Sequence, residues 1–337
     1  MSNKEFVRFA ARFTHPDKFT TLKRDEIMPD RPPMIPGFKP VPGFPPPPRE
    51  HLPANTDHIR RKWLDVPYAD ISPAQKLDIY LPDDGDGPFP VIVSIHGGAF
   101  RECDKGDEQI MPMLEGLKRG YAAVSLNYRM SGEAKFPVIV QDVKAAMRWI
   151  RANAEKYLFD PTRIAAWGGS AGAYLATMLG VSAGVKELED LTLGNADQPC
   201  NVQAVVAWFG PTDFGMMDRW LAESGIPSMP GMEHDAADSP ESLLLGAKIT
   251  TVPELVKAAN PETYVSPAAP PFFLQHGTMD MVVPHQSSVR LAEKLAGAIG
   301  KRNVRLELLE GAGHADPRFD APANVEKVFA WLDARLK

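Results

Sequence analysis

The chain has 337 residues, a formal net charge of −6 at pH 7 and 44% hydrophobic residues. This length and composition can bury a full core, which argues against disorder and favours one large domain or two small ones. The charges are spread along the chain without a basic block, so we expect neither nucleic acid nor a membrane surface as a partner.

The beginning of the chain, MSNKEFVRFAARFTHPDKF, lacks the apolar stretch of a signal peptide. No apolar run approaches the roughly 18 residues of a membrane span. The two cysteines, Cys103 and Cys200, have no metal-type spacing and are predicted to be packing residues. We therefore expect a cytoplasmic protein, with secretion after removal of a signal as the alternative. The sequence leaves open whether the chain forms a homo-oligomer.

The first part of the chain differs in composition from the rest. Residues 29–53 are rich in proline, with four prolines in a row at 45–48. Proline neither continues a helix nor donates to a sheet, so residues 1–53 are predicted to form an extended N-terminal arm. A passive arm is favoured over one that covers a cleft. Residues 54–337 are then predicted to form the main folded domain.

The rest of the chain alternates between strand and helix patterns. Short apolar runs typical of buried strands lie at 76–81, 90–95, 121–128, 163–167, 202–209, 272–275 and 304–309. Helical spacing is found at 137–157, 171–180, 285–299 and in the C-terminal segment that carries Val325 to Leu336. The alternation predicts an α/β fold, a mostly parallel central sheet with helices on both faces. Residues 211–268 break this rhythm and are predicted to be a small cap-like insertion.

Five of the predicted strands are followed by a glycine and a polar or titratable residue. The five turns are HGGAF, GGSAG, GPTDF, HGTMD and EGAGH. Ligands of open α/β sheets bind beyond the carboxyl ends of the strands. Five such turns at one edge therefore indicate a shared site.

The turn with the strongest pattern is GGSAG, in which Ser170 fits G-x-S-x-G between a strand and a helix. In this arrangement the serine lies on a sharp turn and projects its Oγ above the sheet. Glycine at 168 and 172 gives the clearance that the turn needs, and the following helix directs N–H groups to the same spot. Ser170 is the candidate nucleophile.

A serine nucleophile needs a base and an acid that orients the base. His314 lies in the glycine loop after the last strand, and Asp280 follows the preceding strand. The order Ser170, Asp280, His314 matches the order of α/β-hydrolases. Asp213 is the competing acid. Asp316 is too near His314 in sequence and is expected to cap the last helix, with Pro317 at its first position.

Acyl transfer also needs N–H donors for the developing oxyanion. The loop HGGAF can supply two, because Gly97, Gly98 and Ala99 are small, and the N–H of Ala171 is another candidate. His96 is expected to brace this loop. Apolar residues near the strand ends could form a wall for an acyl group, and the predicted substrate-binding residues are Phe209, Met279 and Phe100.

These blocks, in this order, resemble the hormone-sensitive-lipase-like esterases of the α/β-hydrolase superfamily, and most the branch of bacterial acetylxylan and feruloyl esterases. The resemblance begins near residue 75 and rests on IHGGAF, DPTRIAAWGGSAGAYLA, FGPTDF, AANPETYVS, LQHGTMDMVVPHQ and EGAGH. It implies a Ser170–His314–Asp280 triad, an oxyanion hole from Gly98, Ala99 and Ala171, and no metal or cofactor. Relatives often carry an acidic residue just before the serine and a third glycine after HGG, where this chain has Gly169 and Ala99.

The resemblance implies a carboxylic-ester hydrolase acting on a small-molecule ester, with a short acyl or hydroxycinnamoyl group on a sugar-like alcohol. An arylformamidase-like amide hydrolase or a peptidase with the same triad is the alternative among enzymes. The alternative from another class is a non-catalytic binding protein of the same fold.

Overall fold

The computed structural model describes residues 52–227 and 231–337, and it places eight strands in one sheet. The strands are β1 (Lys62–Pro67), β2 (Lys76–Tyr80), β3 (Phe89–Ile95), β4 (Ala122–Leu126), β5 (Phe159–Gly169), β6 (Ala204–Trp208), β7 (Phe272–Gly277) and β8 (Val304–Leu309). Their order across the sheet is β1-β2-β4-β3-β5-β6-β7-β8. The first two strands run antiparallel to their neighbours and all later pairs are parallel, which confirms the predicted fold class.

The edge strand β1 is missing from the sequence prediction, which began with the strand after it. Its residues, KWLDVP, are mostly exposed and end in proline. The sequence contains neither a continuous apolar run nor a regular alternation of apolar and polar residues. An edge strand buries little surface and is selected by pairing with its neighbour rather than by its own pattern.

Eight α-helices accompany the sheet in the described residues. They are α1 (Met111–Leu114), α2 (Val138–Ala152), α3 (Ala171–Ser182), α4 (Met217–Glu223), α5 (Pro240–Leu245), α6 (Pro253–Ala259), α7 (Gln286–Ile299) and α8 (Pro322–Leu336). Helix α3 follows β5 directly and all twelve of its residues are buried, whereas α2 and α7 are amphipathic. Apolar cores lie on both faces of the sheet, so the central strands are buried on both sides.

The segment predicted as a cap-like insertion, 211–268, contains α4, α5 and α6 with short 3-10 turns. It is anchored to the domain by backbone carbonyls. The Tyr174 hydroxyl donates to the Ala259 carbonyl at 2.8 Å, and the Phe136 N–H donates to the Leu244 carbonyl at 3.0 Å. Its part 231–241 borders the cavity above Ser170, and the order of the elements therefore puts the insertion beside the predicted site.

Most of the predicted N-terminal arm, residues 1–51, lies outside the described residues. The end of the arm does not. Pro53 forms a β-bridge with Asp107, the Glu108 N–H donates to the Leu52 carbonyl at 2.7 Å, and the Ala54 N–H donates to the Gly106 carbonyl at 2.8 Å. The arm thus joins the domain beside the loop that follows β3. Among the described helices, none combines the length and the apolar character that crossing a bilayer requires.

Candidate active site

Ser170 occupies a strained turn between β5 and α3. Its φ of 55° and ψ of −124° are unfavourable for a residue with a Cβ, and such strain is found at functional sites. The turn brings the helix against the neighbouring strand, and a Cβ at position 172 would lie 1.9 Å from the Ile95 carbonyl oxygen. Gly172 therefore permits the close approach that sets Ser170 at the sheet edge.

The structure brings Ser170, His314 and Asp280 together, although 144 residues separate the serine from the histidine. The Ser170 Oγ lies 3.0 Å from His314 Nε2, and His314 Nδ1 lies 2.8 Å from Asp280 Oδ2. With the proton on Nδ1, the imidazole donates to the carboxylate and accepts from the serine hydroxyl. This is the geometry that a serine nucleophile, its base and the orienting acid require.

Asp280 is fully buried, and a short loop holds its carboxylate. Its Oδ1 accepts from the N–H groups of Val282 at 2.9 Å and Val283 at 2.8 Å. His276, from the end of β7, has its Nε2 3.3 Å from Asp280 Oδ2 and donates to the Val283 carbonyl at 2.9 Å. Burial alone would raise the pKa of Asp280, but the positive charge of His314 and the hydrogen bonds of both histidines hold that pKa well below its usual range. The carboxylate therefore stays ionised at neutral pH.

The loop after β3 has an unusual backbone. Gly98, Ala99 and Phe100 have φ values of 102°, 51° and 62°, so three successive residues lie in the left-handed region. A Cβ at position 98 would lie 2.1 Å from the Glu102 carbonyl oxygen, which restricts this position to glycine. Ala99 and Ala171 border the same cavity as Ser170. The strained loop thus carries two of the three predicted oxyanion donors, Gly98 and Ala99, and the third, Ala171, directly follows the candidate nucleophile at the start of α3.

The loop is held from behind by polar contacts. The Gly97 N–H donates to Gln109 Oε1 at 2.8 Å, and the Tyr128 hydroxyl donates to the His96 carbonyl at 2.9 Å. The His96 ring stacks on Tyr128 with a centroid distance of 4.6 Å, and its Nδ1 lies 2.8 Å from the Gly97 carbonyl oxygen. Burial lowers the pKa of His96, which favours the neutral ring. His96 lies in the position of a brace, as the sequence suggested.

Gly169, where relatives often have an acidic residue, lies against the ring of Phe209. A Cβ at this position would come within 3.0 Å of Phe209 Cζ. The same ring packs edge-to-face on the imidazole of His314 with a centroid distance of 4.8 Å and on Phe319 with a distance of 4.7 Å. In this chain an aromatic side chain from the end of β6 therefore fills the space that a side chain at 169 would need.

A cavity of about 160 Å³ opens at Ser170. Its lining includes Ala99, Phe100 and Ala171, residues between 231 and 241 of the insertion, and Val282 and Val283. Of the three predicted substrate-binding residues, Phe100 lies in this lining. Phe209 instead supports His314, and Met279 is 40% exposed, so neither of these two borders the cavity.

The competing carboxylates lie elsewhere. Asp213 accepts from the Gly215 N–H at 3.2 Å and caps a 3-10 turn, and burial raises its pKa. Asp316 does not cap the last helix, because that helix begins at Pro322 with Ala321 before it. Asp316 is instead ion-paired with Arg318 at 2.8 Å. The helix-cap prediction was wrong because a separate turn separates Asp316 from the helix.

Three side chains near the site were not singled out from the sequence. His276 contacts Asp280, and its position four residues before that acid at a strand end was an available signal. His234 and Glu241 come from the insertion, line the cavity and lie 3.1 Å apart. No periodicity marks that segment, so only the folded chain brings them to the site. In residues 52–227 and 231–337, no group of three or more His, Cys, Asp or Glu side chains is arranged to bind a metal.

Comparison with known proteins identifies relatives over most of this chain. Residues 77–295 match the protein-family model described as BD-FAE. Esterase LipQ of Mycobacterium tuberculosis is 32% identical over 277 residues, which are 82% of this chain and 61% of that protein. Esterase LipC of the same organism is 30% identical over 258 residues, which are 76% of this chain and 59% of that protein. The chain thus spans about three fifths of the length of these relatives.

Solved structures show the same fold. A truncated form of a carbohydrate esterase from gut microbiota superposes with a TM-score of 0.74 at 30% identity, covering 84% of this chain and 99% of that one. A bifunctional GH43-CE protein of Bacteroides eggerthii superposes with a TM-score of 0.72 at 32% identity, covering 82% of this chain and 38% of that one. The truncated carbohydrate esterase is thus matched over almost its whole length by about five sixths of this chain.

Proposed function

The chain belongs to the BD-FAE family, and we propose that it is a serine carboxylic-ester hydrolase that works through an acyl-enzyme. The observation that carries the proposal is the continuous contact from Ser170 Oγ to His314 Nε2 at 3.0 Å and from His314 Nδ1 to Asp280 Oδ2 at 2.8 Å. The cavity opens at the serine, so an ester carbonyl can reach the nucleophile. The names of the relatives support the same reaction class.

In the first half of the reaction, Ser170 Oγ attacks the carbonyl carbon while its proton passes to His314 Nε2. The imidazolium that forms is stabilised by the buried carboxylate of Asp280, which stays ionised because its pKa is lowered. The oxyanion of the tetrahedral intermediate accepts from the N–H groups of Gly98, Ala99 and Ala171. Each such donor contributes about 3 kcal/mol to transition-state stabilisation in comparable sites.

The intermediate collapses when His314 gives the proton to the leaving alcohol, which departs and leaves the acyl group on Ser170. A water molecule then repeats the sequence, with His314 taking its proton and returning it to Ser170 Oγ as the acid leaves. The edge-to-face contact with Phe209 holds the imidazole in place during these proton transfers. Apart from the ester and this water, the groups named in these steps belong to this chain.

For the substrate, we propose a short-acyl or hydroxycinnamoyl ester of a sugar-like alcohol. The cavity lining combines apolar residues, including Phe100 and Pro211, with carboxylates of the insertion, Glu233, Asp238 and Glu241. A long aliphatic chain would bury these carboxylates against hydrocarbon, which is unfavourable, whereas hydroxyl groups can donate to them. The carbohydrate esterase among the similar structures supports the sugar-like alcohol of this proposal.

The test of the reaction is turnover of p-nitrophenyl acetate by the wild type and by Ser170→Ala. We expect turnover that the substitution abolishes; no turnover by the wild type, or equal turnover by both, would contradict the proposal. The substrate class is tested on a panel of acetyl, butyryl and octanoyl esters, methyl ferulate, chlorogenate and acetylated xylan. A clear preference for octanoate would overturn the substrate proposal and leave the reaction class intact.

A further inference from the structure

A histidine of the insertion contacts the loop that holds the acid. His234 is buried, and its Nε2 donates to the Val282 carbonyl oxygen at 2.9 Å. The N–H of the same residue, Val282, donates to Asp280 Oδ1 at 2.9 Å. The Val282 carbonyl shares its peptide group with the Val283 N–H, which also donates to Asp280 Oδ1, at 2.8 Å. One peptide group therefore links the His234 ring to the carboxylate that faces His314.

The next carbonyl along the chain is also held by a histidine. His276 donates to the Val283 carbonyl at 2.9 Å, and the Val283 N–H donates to the same Oδ1 at 2.8 Å. Two histidines, His276 from the sheet and His234 from the insertion, thus donate to the carbonyls of the two consecutive residues whose N–H groups donate to Asp280. The position of His276 is fixed by β7, so the contact from the insertion depends on His234.

His234 is itself held firmly. Its N–H donates to Asp218 Oδ1 at 3.0 Å, and the Asp235 N–H donates to Asp218 Oδ2 at 2.8 Å, which ties this stretch to α4. On its other side, Nδ1 lies 3.1 Å from Glu241 Oε2, and both side chains are about 5% exposed. Burial lowers the pKa of His234, but the neighbouring Glu241 carboxylate raises it overall, which favours a ring that donates from Nε2.

We infer that His234 is a positioning residue: through the Val282 carbonyl it sets the loop that aims the Asp280 carboxylate at His314. The inference rests on the proposed function and deepens it, because it makes the insertion part of the catalytic geometry rather than only a wall of the cavity. Without the contact, the peptide group between Val282 and Val283 is free to rotate, and its N–H, the Val283 donor to Asp280 Oδ1, is lost. A displacement of about 1 Å at such a group lowers rates on the order of 100-fold.

Three variants test the inference with p-nitrophenyl acetate as substrate. His234→Leu removes the donor and keeps the volume. His234→Gln keeps an N–H that can reach the same carbonyl. Ser242→Ala is the matched control, because Ser242 lies in the insertion, donates to the Ala236 carbonyl and accepts from the Ile249 N–H, and does not border the cavity. The melting temperature of each variant is measured beside kcat and KM.

We expect His234→Leu to lower kcat by roughly 10- to 100-fold with KM within about threefold of the wild type, because acid alignment acts on the chemical step. His234→Gln should recover most of kcat, and Ser242→Ala should lower the melting temperature while kcat stays near the wild-type value. An increase in KM with unchanged kcat, or equal losses in His234→Leu and His234→Gln, would overturn the inference. Absence of activity in the wild type would refute the proposed function instead, so the two failures are distinguishable.

Discussion

Replacing Asp280 by asparagine keeps the shape of the side chain and removes its charge. In the wild type, Oδ1 accepts from the N–H groups of Val282 and Val283, and Oδ2 faces His314 Nδ1 at 2.8 Å. Asparagine has a single acceptor oxygen, and the two backbone donors claim it. Its NH₂ group must then face His314, which forces the imidazole to accept at Nδ1 and to carry its proton on Nε2.

An imidazole with its proton on Nε2 cannot take the proton of Ser170, since that nitrogen lies 3.0 Å from the serine Oγ. The loss of the right tautomer and of the buried negative charge should lower kcat by about 10⁴-fold. That factor corresponds to about 5.4 kcal/mol of transition-state stabilisation. The assay is the steady-state hydrolysis of p-nitrophenyl acetate at pH 7 to 8.

Asp213→Asn and Asp316→Asn are the matched controls, because both remove a carboxylate from a turn that follows a strand. Asp213 caps a 3-10 turn and Asp316 pairs with Arg318, so neither change should lower kcat more than about threefold. The reasoning is refuted if Asp280→Asn keeps kcat within tenfold of the wild type, or if Asp213→Asn has the larger effect.

Three more predictions concern packing and pH. Gly172→Ala should destabilise the fold by more than about 3 kcal/mol in urea unfolding, because its Cβ would lie 1.9 Å from a backbone carbonyl oxygen. The control Gly297→Ala, whose Cβ would have no atom within 4 Å, should leave the stability unchanged or raise it. Equal stabilities of the two variants would contradict this prediction. Gly169→Ala should lower kcat, because its Cβ would displace the Phe209 ring from the imidazole of His314. Phe209→Leu should lower kcat as well, because it removes the same ring contact; no change in either variant would count against the packing account. Folding lowers the pKa of Asp280, so the ionised carboxylate stabilises the fold at pH values above its unfolded pKa of about 3.9, and this stabilisation is lost as the pH falls further. The difference in free energy of unfolding between the wild type and Asp280→Asn should therefore shrink from pH 6 to pH 3. A difference that stays constant over this range would disprove the prediction.

The turns at the strand ends could be predicted because the residues that form the sequence pattern are the same residues that the local structure requires. A parallel strand buried on both faces has a continuous apolar run, and a turn that must approach another backbone needs glycine. These two rules located the turns of Ser170, Asp280 and His314, and the folded chain brings those three side chains into contact. The same rules fail for β1, which is exposed and is recognised only by its pairing with β2.

The wall of the cavity was not predictable in the same way. Residues 231–241 have no periodic pattern, and their position depends on long-range contacts such as those of Asp218 with His234 and Asp235. The space at position 169 is likewise limited by a residue 40 positions away, through the ring of Phe209. A local pattern cannot show such a cause, because the two residues meet only after β5 and β6 have paired.

The central claim, an acyl-enzyme on Ser170, is tested most directly by trapping the intermediate. The wild type is mixed with p-nitrophenyl acetate, quenched in acid within milliseconds to seconds, and digested for peptide mapping by mass spectrometry. We expect a burst of p-nitrophenol and an acetyl group on the peptide that carries Ser170, with neither in Ser170→Ala. An acetyl group on another residue, or turnover by Ser170→Ala at the wild-type rate, would contradict the claim.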